Sequence, residues 1–203
     1  MIKGNQGTEE RIFEAAKNVF VKKGLNNSRM QEIAQEAGMN KALLHYYYRS
    51  KEKLFQAVFN SVMKRVIPPI AEMLEKEIPL FEKIEFIVDR YINSLISNPQ
   101  IPVFFIQEIQ RNPQQIVEII KKYGIKPEVF FQQIENEIKA GNIIDIQPQQ
   151  LIVNLLSLCV FPFAARPVVQ GMIFENDKKK YDQFLFERKK EVSKFIINSI
   201  RKK

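Results

Sequence analysis

The stretch Ser28–Glu52, SRMQEIAQEAGMNKALLHYYYRSKE, decides the fold. Met30, Ile33, Ala34 and Ala37 recur at helical spacing, with Ser28 as the N-cap before them and Gly38 after them. Asn40 caps a second short segment that reaches about Tyr47, and Ser50 caps a third through Leu54, Phe55, Val58, Phe59 and Val62. Counting from Met30, Ala34 is fifth, Gly38 ninth and Leu44 fifteenth. Each position has a mechanical reason in a helix-turn-helix unit. The fifth residue lies where two helices cross and must be small. The ninth takes positive φ in the turn, which glycine tolerates best. The fifteenth points back into the core. In such a unit the second helix enters the major groove and its N-terminal side chains meet base edges.

These residues resemble the tetracycline-repressor (TetR-like) family of transcriptional regulators, whose pattern reads roughly I-A-x-x-A-G-V-S-x-x-x-L-Y-x-Y-F-x-S-K-E. Here it stands as Ile33-Ala34-Gln35-Glu36-Ala37-Gly38-Met39-Asn40, then Leu44-His45-Tyr46-Tyr47-Tyr48-Arg49-Ser50-Lys51-Glu52. Ile12, Ala15-Ala16, Phe20 and Gly24 extend the likeness, which covers roughly residues 8–59. Tyr48 replaces the usual Phe, His45 a common Tyr, Asn40 a common Ser, and Arg29 a frequent Thr or Ser. No operator sequence therefore carries over. The resemblance implies phosphate contacts for Tyr47 and Lys51 and DNA-backbone contacts for Ser28 and Arg29. A base-facing set of Asn40, Lys41, Leu43 and Tyr46 follows. Lysine can donate to guanine O6/N7, and Leu43 can meet a thymine methyl. Lys51 also stands at a helix start, where cation and backbone N–H groups can face one phosphate. Blander readings stand beside these. Lys41 is also an ordinary solvated lysine, Tyr46 also an inward-packed ring, and His45 a packing or hydrogen-bonding residue.

Outward from this stretch the signals are helical almost throughout, so the chain reads as all-α. Thr8 can N-cap a first helix over about 8–23, with Gly24 as its C′ residue. The helix opened by Ser50 runs toward Pro68-Pro69, which should bend or stop it. Further helices fall near 70–77, 80–97, 101–111, 113–122, 127–140, 148–171 and 178–201, with Pro79, Pro99, Pro102, Pro113, Pro127 and Pro148 at or near boundaries. Pro162 and Pro167 should kink or break the 148–171 helix. The expected division is 1–50, a helix-turn-helix DNA-binding domain, and 51–203, a larger helical domain joined to it by the fourth helix.

Composition bounds the rest. The 203 residues carry 31 Lys+Arg against 23 Asp+Glu, for a net charge of +8. Residues 1–53 hold 10 basic and 6 acidic groups, 54–177 hold 11 and 14, and 178–203 hold 10 and 3. Most of the excess therefore sits on the last helix, whose Lys178–Lys180, Arg188–Lys190 and Arg201–Lys203 read as a solvated face rather than a DNA surface. One Cys excludes a disulfide framework within the chain, and one His excludes a site of several His ligands. No Gly-rich phosphate loop or metal-ligand cluster appears, so neither an enzyme nor a cofactor is expected. Without an apolar leader or an 18-residue apolar span, a cytoplasmic protein with no membrane partner is the default.

The resemblance implies that the second domain binds an effector and dimerises. A largely apolar small molecule is the expected ligand, with Tyr91, Phe104, Phe105, Tyr123, Phe130, Phe131, Phe161 and Arg166 as candidate lining. The same aromatic residues can simply be core. Arg166 can anchor an acidic ligand, pair with Glu108 or sit exposed at a kink. Ile152, Leu155, Leu156, Cys159, Phe184, Val192 and Phe195 are candidates for a homodimer interface formed by the last two helices. Cys159, in an apolar run, equally reads as a buried inert thiol. The expected function is a sequence-specific DNA-binding regulator, a homodimeric repressor of a palindromic operator released by its effector. The alternative is a DNA-binding activator or architectural factor without an effector.

Overall fold

The computed structural model describes residues 3–99 and 101–202, so Lys203 of the basic run lies outside the described residues. Helices make up almost all of it. They are α1 (Lys3–Asn27), α2 (Met30–Glu36), α3 (Lys41–Tyr47), α4 (Lys51–Glu75), α5 (Leu80–Ser97) and α6 (Ile101–Arg111). There follow α7 (Pro113–Lys122), α8 (Pro127–Lys139), α9 (Pro148–Ala164), α10 (Arg166–Ile173) and α11 (Lys178–Ile200). The chain forms two compact units. Unit 1 takes Met1–Arg65 with Val103–Ile119, and unit 2 takes Val66–Pro102 with Ile120–Lys203. Unit 1 thus holds more than residues 1–50, since the first part of α4 and a segment of α6–α7 belong to it.

Unit 1 is built on Ile12, Phe20, Ile33, Leu44, Leu54 and Phe59, all fully buried. Fully burying one such side chain contributes about 1.5–3 kcal/mol. Phe104 and Phe105 complete this core. The Phe104 ring lies 4.8 Å from that of Phe55, and Phe105 stacks on Phe59 at 6.1 Å. The buried Glu108 accepts from Asn112 Nδ2 at 2.8 Å and Gln56 Nε2 at 3.3 Å. Its other oxygen lies 3.5 Å from Arg111 Nε.

Three boundaries differ from the expectation. The first helix is already formed at Lys3 and Thr8 lies inside it, because Gly4 and Gly7 each cost only about 1 kcal/mol of helix propensity. Gly24 does break it, at φ 69. The N-cap of α2 is Arg29 rather than Ser28. Pro68 and Pro69 do not end the fourth helix, which continues as α4 to Glu75. Each proline removes one helical donor. Met63, Ile67, Ala71, Met73 and Leu74 nevertheless stay buried before and after the pair.

Unit 2 packs α5, α8, α9 and α11 around Ile84, Ile92, Phe130, Cys159, Phe163 and Tyr181. The 148–171 segment breaks, as its prolines predict, into α9 and α10 at an angle of 74°. The break has a specific remedy. Pro162 has no N–H, so the Leu158 carbonyl four residues back loses its helical donor. Arg188 of α11 fills the vacancy, donating Nε at 3.2 Å and Nη2 at 2.8 Å to that oxygen. Tyr181 Oη donates to the Pro162 carbonyl at 2.7 Å. A second device closes α4. Buried Lys83 donates Nζ to Leu74 O, in the helix's last turn, at 3.0 Å. Burial lowers its pKa, opposed by the Glu77 carboxylate.

Candidate nucleic-acid interface

The turn between α2 and α3 sets the site. Ala34 is fully buried, Gly38 has φ 62, and Met39 N–H donates to Ala34 O at 2.9 Å. Asn40 then caps α3, its Oδ1 accepting from Leu43 N–H at 2.7 Å. Leu44 is fully buried and fixes the roll of α3. With that face inward, Lys41, Ala42, His45 and Tyr46 face solvent, and Tyr46 is 83% exposed. Leu43 stands beside them, 40% exposed. Tyr47 is half-buried, and the Tyr46 ring meets it edge-on at 5.8 Å. Tyr48 packs on Phe13 with ring centroids 6.0 Å apart, and burial together with Glu9 pushes its phenol up to about 12.

Of the eight residues expected at DNA, Arg29, Asn40, Lys41, Leu43 and Tyr46 stand exposed. Asn40 already uses its carbonyl oxygen in the cap, which leaves its amide N–H groups to read a base. Ser28 stands elsewhere. It is buried beneath α1 with its hydroxyl donating to Gly24 O at 2.5 Å, because the chain turns back at Gly24 and carries residue 28 inward. Lys51 is half-buried and donates to Asn26 O at 3.2 Å, holding the end of α1 to the start of α4. Its remaining donors can still meet a phosphate. The backbone N–H groups beside it are partly taken. Ser50 Oγ accepts from Lys53 N–H at 3.2 Å, and Glu52 is held below the usual carboxylate range by its own backbone N–H. His45, which by residue type reads as a packing or hydrogen-bonding residue, shares the exposed face. It lies four residues after Lys41, a helical spacing already present in the sequence.

The other candidates divide between the units. Phe104 and Phe105 belong to unit 1, and Tyr91, Tyr123, Phe130, Phe131, Phe161 and Arg166 to unit 2. Phe130 is core, Tyr91 and Phe131 are half-buried, and Phe161 is 63% exposed. Burial raises the Tyr91 phenol pKa. Arg166 does not pair with Glu108. It donates Nε to Gln170 Oε1 at 3.1 Å and lies 5.3 Å from the Tyr181 ring centroid, while Glu108 is taken by Arg111 in the other unit. Among the dimer candidates, Leu155, Cys159 and Val192 point into the unit 2 core. Ile152 and Phe184 are half-buried against it, and Leu156 and Phe195 are exposed. The inner stripe of α9 is Leu151, Leu155, Cys159 and Phe163, so residues spaced four apart from these cannot also face outward. The Cys159 thiol is pushed up to about 12 by burial, with Arg188 opposing.

Residues 12–58 match the model of the bacterial regulatory proteins, tetR family. The chain is a TetR-like transcriptional regulator. This regulator is 23% identical over 146 residues to the fatty acid metabolism regulator protein of Bacillus subtilis, covering 69% of this chain and 75% of that one. Two solved structures share the TetR-like fold. The hemolysin II transcriptional regulator HlyIIR superposes with a TM-score of 0.66 at 24% identity, over 98% of this chain and 99% of that one. The regulator FadR of Bacillus subtilis, in complex with stearoyl-CoA, gives 0.66 at 16% identity over 95% and 99%. The matched residues 12–58 are the helix-turn-helix part of this DNA-binding regulator, and they include α2, α3 and the exposed face of α3.

Proposed function

We propose that this regulator is a homodimeric repressor that a largely apolar small molecule releases from a palindromic operator. The observation that carries the dimer is the set of large apolar side chains that α9, α10 and α11 of unit 2 expose. Phe161, Met172, Ile173 and Phe195 are 63, 81, 69 and 65% exposed there, and large apolar groups in water mark interaction surfaces. Leu156 and Phe195 remain interface candidates, joined by Val153 and Phe161. A two-fold dimer would set its recognition helices about 34–36 Å apart, or a multiple, to meet successive major grooves. Arg29, Lys41, Leu43, Tyr46 and His45 would face that DNA.

The effector reading is supported by FadR of Bacillus subtilis, whose structure holds stearoyl-CoA. Tyr91, Tyr123 and Phe131 are the unit 2 candidates we keep for its lining. Unit 2 also has an open cleft of about 270 Å³, lined by Leu151, Leu158, Phe195 and Ile196 with Asn154 and Ser199. None of the eight lining candidates borders it. Release follows from linkage. A ligand preferring the conformation with misplaced recognition helices lowers operator affinity, and operator binding weakens the ligand reciprocally. The second reading is a DNA-binding activator or architectural factor without an effector, and it is favoured by Phe130, Phe163 and Tyr181 serving as fully buried core side chains of unit 2.

The test uses the full chain and a labelled duplex enriched by it from random DNA. Sedimentation should give two chains per duplex, and stearoyl-CoA should raise the dissociation constant. A single chain per duplex overturns the dimer. Unchanged affinity under saturating stearoyl-CoA overturns release by an acyl ligand.

A further inference from the structure

The α2–α3 turn is held by a residue outside the helix-turn-helix stretch. Arg11 lies on α1, and its Nη2 donates to Ala37 O at 2.6 Å and to Gly38 O at 3.3 Å. Ala37 is the C-cap of α2 and Gly38 the turn residue in the left-handed region. The last carbonyls of a helix have no intrahelical donor. The negative end of the helix dipole also favours a cation there. One guanidinium therefore satisfies the end of α2 and grips the two residues whose backbone directs the chain into α3. The approach is close, since a Cβ on Gly38 would stand 3.0 Å from Arg11 Nη2. Around this point Asn18 Nδ2 reaches Glu36 Oε1 at 3.5 Å, a second and weaker tie from α1 to α2.

The geometry points to Arg11 as the positioning residue of the recognition helix: bound to the α2–α3 turn, it sets how α3 is presented to bases. The inference needs DNA binding through α3 and depends on neither the dimer nor the effector. It gives Arg11 a role that differs from a phosphate contact. A phosphate contact adds affinity for every sequence and contributes to the salt dependence. A positioning residue changes discrimination between sequences and leaves the salt dependence alone.

The experiment compares wild type, Arg11→Ala, Arg11→Met and Arg11→Lys by fluorescence anisotropy. The probes are the duplex enriched from random DNA and a scrambled duplex of equal composition, over a series of salt concentrations, with a thermal melt of each protein. Arg11→Ala should lose about tenfold in affinity for the enriched duplex, the effect of one strong charge-assisted hydrogen bond. Its affinity for the scrambled duplex should stay within about twofold, and the slope of log affinity against log salt should not change. Arg11→Met keeps the apolar stem and should behave as Arg11→Ala even if the alanine variant melts early. Arg11→Lys, able to reach one carbonyl, should recover part of the discrimination. A slope lower by about 0.9 per binding chain assigns Arg11 to a phosphate and overturns the inference. Equal losses on both duplexes, or no loss on either, overturn it as well.

Discussion

The α2–α3 pair and the α9–α11 pair solve the same problem, orienting one helix against another, at different ranges of sequence. In the first, the cap Asn40, the turn glycine Gly38, the small crossing residue Ala34 and the buried anchor Leu44 fall within eleven residues. In the second, a proline vacates the Leu158 carbonyl and a side chain thirty residues later, Arg188, occupies it. Tyr181 does the same for Pro162 O from nineteen residues away. A local arrangement leaves a spacing pattern. A remote one leaves an arginine and a tyrosine that look like any others on a basic helix.

The contrast can be broken by substitution. Leu44→Ala empties the anchor of α3 and should cost about 2–5 kcal/mol in urea unfolding, the range for a buried leucine. Removing both donors from Leu158 O with Arg188→Met should cost about 1 kcal/mol, since a partly buried carbonyl is left unpaired. A neutral Arg188→Met, read by the same titration, would show that water reaches that carbonyl and that α11 does not hold the proline break. Asn40→Ala removes a local cap and should cost about 1 kcal/mol, seen as a lower urea midpoint with unchanged slope.

The smallest effect is one of pH. The Cys159 thiol is raised from 9.0 to about 12 by burial, so the folded state holds its proton more tightly than the unfolded state. The resulting stability is fully present below pH 9 and is lost as pH rises toward 12. At pH 8 an aromatic disulfide reagent should therefore label Cys159 only when denaturant unfolds unit 2. Prompt labelling of the native protein would contradict its burial.

These ranges explain what the sequence discloses. The span of α5, the break between α9 and α10, and the caps Asn40 and Ser50 are set by neighbouring residues and can be read directly. Helix continuation through Pro68-Pro69 cannot, because buried residues before and after the pair outweigh two missing donors. The inward turn of Ser28 follows from Gly24 four residues earlier, and a motif centred on residues 30–44 does not include it. In the candidate site, Lys41, Leu43 and Tyr46 were legible from helical arithmetic. His45 obeys the same arithmetic, but a lone histidine gives no signal by residue type. The aromatic candidates are hard to place from sequence for a different reason. Phe104 and Phe105 sit in a segment, Val103–Ile119, that joins unit 1 from beyond the intervening Val66–Pro102 of unit 2, and no pattern within that segment records which core it joins.

The most direct measurement runs the full chain, Lys41→Ala and Tyr47→Phe side by side through selection from one random DNA pool, followed by titration of the enriched duplexes. The account predicts that wild type enriches a defined sequence and Lys41→Ala a different or degenerate one at the positions under the start of α3. Tyr47→Phe should keep the wild-type sequence and bind every duplex more weakly. An identical enriched sequence and equal affinity for all three proteins would contradict the claim that the exposed face of α3 reads DNA.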